Sequence, residues 1–143
     1  MDSLRIEKSY RLPGRELSIE YAALESGLNR FVSENKGDFI GRDGLAEWKL
    51  KGFSYGFVTL EVHNVKDADA LGNNPIYLDG KVIGRATSGG YGHRIKKSLV
   101  LAMINPSLIK TGLKVKIDIL GTKYDASIIN DSPYDPSNEK LRA

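Results

Sequence analysis

The residues Pro75–Arg94, P-I-Y-L-D-G-K-V-I-G-R-A-T-S-G-G-Y-G-H-R, constrain the fold more than any other part of the chain. Two runs, Ile76–Leu78 and Lys81–Thr87, flank the dipeptide Asp79-Gly80. A two-residue loop of that composition favours a type I′ turn, because both central residues need positive φ. A tight antiparallel hairpin is therefore expected. Beyond it Ser88, Gly89, Gly90 and Gly92 break the pattern, and small residues at that density predict a bend or a close backbone approach.

From Gly52 onward the apolar period is two. Tyr55–Val62 reads as a strand and Asn64–Asn74 as a polar loop, while Ser98–Ile104 is almost wholly apolar, as a strand buried on both faces would be. Leu113–Leu120 alternates apolar and charged residues, and Gly121-Thr122 turns it into Tyr124–Ile129, a second hairpin with one wet face. About six strands at short spacing predict a mainly β fold, a small closed antiparallel six-stranded β-barrel. Asn130–Ala143, with Pro133 and Pro136, reads as a loop-like strap.

The first third reads as a short α-helical lead-in. Asp2–Arg11 predicts a helix that Pro13-Gly14 stops. A second short helix is expected from Glu20 to Ser26-Gly27, and Leu28–Val32 is weakly strand-like. A third helix should begin at Asp38 or Gly41 and run to Lys49 or Lys51, with Phe39, Ile40, Leu45 and Trp48 as apolar anchors. This third cannot bury its apolar residues alone, so it is expected to pack on the barrel or on something outside the chain.

Composition narrows the chemistry. With no cysteine, disulfides and thiolate metal sites are excluded, and His63 and His93 stand apart without clustered carboxylates, so no metal is expected. The net charge of +3, from 21 Lys and Arg against 18 Asp and Glu, is scattered, and no nucleic-acid partner is expected. No apolar run approaches the about 20 residues that span a bilayer, and M-D-S-L-R-I-E-K lacks the order of a signal peptide. A soluble, cytoplasmic protein without a membrane partner is expected. T-S-G-G lacks the P-loop lysine and the following helix, so it reads as a structural bend, and S-G-G-Y-G-H is not a nucleophile elbow. Asp67, Asp69, Asp131 and Asp135 read as turn formers, and Arg94, Lys96 and Lys97 as a solvated face.

Several motifs in fixed order then add a family. S-L-R-I-E-K-S-Y-R-L, L-E-S-G-L-N-R-F-V and K-G-D-F-I-G-R-D-G-L resemble the carboxyl-terminal part of the folate-dependent glycine-cleavage T-protein superfamily. G-K-V-I-G-R-A-T-S-G-G-Y-G and D-S-P-Y-D-P-S-N-E-K-L-R are most similar to its branch fused to FAD-dependent dimethylglycine and sarcosine dehydrogenases or oxidases. The resemblance spans essentially the whole chain. It implies that residues 1–50 are the incomplete last segment of a folate-binding domain and residues 51–143 the family's barrel. The larger part of the folate domain, with its acidic catalytic residue, and an N-terminal FAD domain would lie outside these residues, so no catalytic residue is assigned.

The implied cofactor is tetrahydrofolate, with FAD in the N-terminal domain, and the implied substrate is a small amine that loses an N-methyl group to folate after oxidation. A stand-alone glycine-cleavage aminomethyltransferase and a non-catalytic docking module are the alternatives. The resemblance puts Arg5 of the S-L-R-x-E motif at the folate and substrate pocket, where an arginine fork suits the carboxylates of folate's glutamate tail; on the residues alone it reads as a solvated arginine. Tyr10 and Glu25 line the same cleft, or else pack and cap a helix end. Ser9 departs from the family's usual glycine in K-G-Y, and Pro13 falls in the turn.

Overall fold

The computed structural model describes residues 2–33 and 35–143. Its elements are helix α1 (Asp2–Glu7), helix α2 (Arg42–Lys51), strands β1 (Gly56–Val62), β2 (Pro75–Leu78), β3 (Lys81–Gly92), β4 (Lys97–Ile104), β5 (Lys114–Ile119) and β6 (Thr122–Ile129), and helix α3 (Glu139–Arg142). The six strands close into an antiparallel barrel in the order β1-β4-β3-β2-β5-β6, and β6 returns to β1. The expected hairpin forms with φ of 49° at Asp79 and 79° at Gly80. In the second hairpin Thr122 already pairs with Ile119, so the turn residues are Leu120 and Gly121, one position earlier than expected.

Alternation of side chains across a strand gives the barrel two apolar layers. Leu60, Val100, Ala102, Ile104, Ile117 and Ile128 point inward to the main core. Leu99, Leu101 and Met103 of β4 point outward, where Ile6, Tyr21 and Phe57 cover them. That is why β4 is apolar on both faces, and it shows where the lead-in packs.

β3 corrects the expected corner. Ser88–Gly92 does not leave the sheet: the strand runs on to Gly92, and its bend is a bulge between Ala86 and Ser88. The close backbone approach is real at Gly89, where an added Cβ would lie 2.2 Å from the carbonyl oxygen of Ala70.

The lead-in departs further from its sequence reading. α1 stops at Glu7 rather than Arg11, because Ser9 adopts a φ of 53° that no helix continues through. Residues 20–27 form successive turns, with Ser26 N–H bonded to Ala22 O, and not a helix. Leu28–Val32 holds a 3₁₀ turn at Asn29–Phe31 where a strand was expected. α2 has the expected span, but its anchors reach no core: Phe39 and Leu45 are half-buried, Ile40 and Trp48 are exposed, and no residue of α2 is buried. Amphipathic spacing declares which face wants cover; among the described residues nothing covers this one.

The strap is tied to α1. Lys8 Nζ donates to Tyr134 O at 3.2 Å, Asp135 O at 2.6 Å and Asn138 Oδ1 at 2.6 Å, and Tyr134 N–H donates to Glu7 O.

Candidate functional site

Three glutamates of the lead-in are 2% exposed or less, and a buried carboxylate is tolerable only when donors surround it. Each is met by donors of the chain on at least one oxygen, and Glu7 Oε2 is buried without a hydrogen-bond partner among the described residues. Glu7 Oε1 accepts from the amides of Arg94 and Ile95. Glu25 Oε2 accepts from Ala22 N–H, and its Oε1 from Ser54 N–H and Tyr55 N–H. Glu16 Oε1 accepts from Thr87 Oγ1 and Ser88 Oγ, both at 2.6 Å, while Oε2 accepts from Leu12 N–H at 2.9 Å and faces Arg5 Nη1 at 3.4 Å.

The Glu16 contact explains the bulge. Consecutive residues of a regular strand point to opposite faces, so Thr87 and Ser88 could not otherwise reach one oxygen. The bulge at Ala86/Ser88 brings both hydroxyls to the same side.

Arg5 is nearly buried, its side chain 11% exposed. Nη1 donates to Tyr10 O at 2.8 Å, Nε to Asp2 Oδ1 at 3.2 Å, and Nη2 is buried with no hydrogen-bond partner among the described residues. The structure thus brings Arg5 against the Tyr10 backbone and leaves one guanidinium donor unmet. The Tyr10 ring is 43% exposed and borders a cleft with Leu4, Arg94, Tyr134 and Leu141. Glu25 is bonded to neither, and both its oxygens are occupied by backbone amides.

A polar cavity of about 620 Å³ is bounded by Asp2, Arg15, Tyr21, Asn73 and Arg85 and walled by Thr87–Gly89; Arg5 does not line it. Arg85 is fixed by the Tyr21 hydroxyl at 2.7 Å and by Glu20. Arg15 Nη1 donates to Ser88 Oγ over a long 3.4 Å. Arg5 sits behind this wall, joined to it through Glu16.

A second buried chain of polar groups runs under Tyr10. Ser132 N–H donates to Ser9 Oγ at 2.9 Å, Ser9 Oγ lies 2.8 Å from Thr59 Oγ1, and Thr59 Oγ1 donates to Asp131 Oδ1 at 3.0 Å. Asp131 also pairs with Arg11 at 3.0 Å, so it is more than a turn former. Burial pushes the Arg11 guanidinium below its ordinary value while Asp131 works the other way, and its face rests 3.7 Å from the Phe57 centroid. Ser9 thus occupies a left-handed position that glycine would suit, and uses its hydroxyl. Ser9→Gly is expected to change stability by less than about 1 kcal/mol: the relief of a strained non-glycine φ, roughly 1 kcal/mol, opposes the loss of a buried hydrogen bond worth about the same. Urea unfolding at constant m-value measures it.

Sequence reasoning did not single out Glu7, Glu16 or Arg11. The available signal was Thr87-Ser88, two adjacent hydroxyls beside apolar strands, which need a buried polar partner. His63 lies on the outer barrel face with Nε2 3.0 Å from Ser127 Oγ, and the ring of His93 meets Tyr91 edge-on. Among the described residues no three His, Asp or Glu come together as a metal cluster, and no helix is long and apolar enough to cross a membrane.

Comparison with known proteins sets this geometry in context. The chain is 40% identical to the mitochondrial dimethylglycine dehydrogenase of Homo sapiens over 132 residues, which are 92% of this chain and 15% of that protein. It is 34% identical to an aminomethyltransferase of Desulfitobacterium hafniense over 128 residues, 90% of this chain and 34% of that one. The crystal structure of glycine cleavage system aminomethyltransferase T from Bartonella henselae shares the fold, with a TM-score of 0.84 at 22% identity, covering 94% of this chain and 38% of that chain. The chain therefore spans well under half the length of each of these relatives. Residues 56–135, the ring of strands together with the start of its strap, match the glycine cleavage T-protein C-terminal barrel domain, and the chain belongs to that family.

Proposed function

We propose that this chain serves a tetrahydrofolate-dependent one-carbon transfer, as the barrel end of a dimethylglycine or sarcosine dehydrogenase-like protein. The observation that carries the reading is the 40% identity to a dimethylglycine dehydrogenase across 92% of the chain. In this reading residues 1–50 close a folate-binding domain and residues 51–143 are the barrel domain. The oxidation of a small N-methyl amine on FAD, and the capture of the one-carbon unit by tetrahydrofolate, take place in the parent protein; the barrel forms a wall and performs no bond chemistry.

Arg5, in the segment that precedes the barrel, supplies the anion-binding group: its Nη2 is a buried donor without a hydrogen-bond partner among the described residues, which a ligand carboxylate reaching it would complete. Tyr10 contributes through its backbone carbonyl, which holds Arg5 Nη1, and its exposed ring offers a surface on the neighbouring cleft. Glu25 contributes by anchoring residues 22, 54 and 55 and thereby fixing the floor of the lead-in. Nucleic acid and membrane are outside this role, and so is a metal. The cytoplasmic placement expected from the sequence stands against relatives named as mitochondrial, and cell fractionation decides it.

The test is calorimetric titration of the intact protein with 5-formyltetrahydrofolate. Arg5→Ala is expected to weaken binding roughly ten- to a hundredfold, the value of one charge-assisted hydrogen-bond pair, about 1.5–3 kcal/mol. Equal affinity in the variant removes Arg5 from the site, and no binding by the unaltered protein removes the folate reading in favour of a docking module. A flavin spectrum in the purified protein separates the dehydrogenase type from a stand-alone aminomethyltransferase.

A further inference from the structure

We propose that Glu16 is the positioning residue of Arg5: it holds the guanidinium from behind, ties its place to the cavity wall, and never touches the ligand itself. The inference rests on the reading of Arg5 as the anion-binding group, and adds a residue that the sequence motifs leave unmarked.

A carboxylate offers about four lone-pair sites on its two oxygens. Glu16 has four donors: Thr87 Oγ1, Ser88 Oγ, Leu12 N–H and Arg5 Nη1. It is fully buried, at 0% exposure. A saturated, inaccessible carboxylate has no capacity left for a ligand, so its contribution must pass through the groups it holds.

Those groups lie on opposite sides. Oε1 is fixed by the two hydroxyls of the β3 bulge, and Oε2 faces the Leu12 amide and Arg5. The glutamate is a strut whose length sets the separation between the cavity wall and the guanidinium. Its own backbone is pinned as well, because Ser26 Oγ donates to Glu16 O at 2.7 Å. Arg5 meanwhile has Nε on Asp2 and Nη1 shared between Tyr10 O and Glu16. With these contacts made, the one donor group left over is Nη2. Nη1 is thus held by Tyr10 O at 2.8 Å and by the strut at 3.4 Å together, and Nη2 is left buried without a partner among the described residues.

Length and charge can be separated by two substitutions. Glu16→Asp keeps the charge but is one methylene short, so it cannot reach both the bulge hydroxyls and Arg5. Glu16→Gln keeps the length; its amide oxygen can still accept from Leu12 N–H and Arg5, while the Thr87 hydroxyl has Leu101 O at 3.0 Å as a second acceptor. Titration of the intact protein with 5-formyltetrahydrofolate is therefore expected to show about tenfold weaker binding for Glu16→Asp, and less than about threefold change for Glu16→Gln. In an Arg5→Ala background Glu16→Asp should cost less than twofold, because a strut with nothing to hold has no effect.

An equal loss from Glu16→Asp with and without Arg5 would mean a purely structural role and overturn the proposal. So would a response to Glu16→Gln alone, which would make the charge and not the placement decisive. If Arg5→Ala binds normally, the reading beneath falls first; if Arg5→Ala is weakened and Glu16→Asp is silent, only the present proposal falls. Thermal melts accompany each variant. Should Glu16→Asp not fold, Thr87→Val replaces it: it removes one hydroxyl from Oε1 and is expected to weaken binding about threefold, again only when Arg5 is present.

Discussion

Truncating Ile6 to alanine is expected to destabilise the protein by about 3 kcal/mol, within the roughly 2–5 kcal/mol that removing a buried isoleucine costs. Ile6 is fully buried and is α1's apolar contribution to the outer layer formed by Leu99, Leu101 and Met103. Without it the helix loses its footing on β4, and with it the placement of Arg5. The midpoint of thermal unfolding should drop by roughly 10 °C, on the scale of about 2–4 °C per kcal/mol for a chain near this size. Leu4→Ala, on the same helix but 52% exposed, is the control and should stay within about 0.5 kcal/mol of the unaltered protein. Equal melting of Ile6→Ala and Leu4→Ala would contradict the docking of α1 on the barrel.

Gly89→Ala is expected to cost about 2–3 kcal/mol, the range for forcing extra volume into a packed site. The added Cβ would stand 2.2 Å from Ala70 O and 2.8 Å from Ala70 C, which are backbone atoms of a loop held to β3 by Asn73 N–H to Ala86 O and Ala86 N–H to Asn74 O. That loop cannot swing aside without breaking those bonds. Gly90→Ala supplies the contrast: its nearest neighbour is Ile6 Cδ1 at 3.2 Å, the end of a flexible side chain, so its cost should stay below about 1 kcal/mol. Urea midpoints for the two variants measure the difference, and a Gly89→Ala protein as stable as Gly90→Ala would refute the tight seating of residues 70–74 on the strand.

The barrel was legible because its signals are local. Asp79-Gly80 dictates a turn within four residues, and the alternation of Leu113–Leu120 identifies an edge-to-core pattern without reference to anything distant. The lead-in was not legible because its shape is set by partners far along the chain. Glu7 is answered by residues 94 and 95, Glu16 by residues 87 and 88, and Glu25 by residues 54 and 55. A helix pattern cannot announce that its carboxylate will be claimed elsewhere. Periodicity located α2 correctly and still misjudged its anchors, since spacing records which side is apolar and says nothing of whether a partner arrives. Arg5 was reached through the family resemblance alone; S-L-R-I-E by itself describes an ordinary short helix, and beyond Asp2 the guanidinium's partners, Tyr10 and Glu16, belong to the turns that follow.

Closure of the ring has a consequence for how this molecule can meet others. Each strand has a neighbour on both sides, from β1 round to β6 and back, so no whole strand is left as an edge, and the unpaired backbone is confined to stretches where one strand outruns its neighbour, as β3 does beyond Arg85, the last residue β2 pairs with. Recognition is therefore written mainly in side chains and loops, and fibrillar growth by strand addition finds no full-length edge strand on the folded barrel.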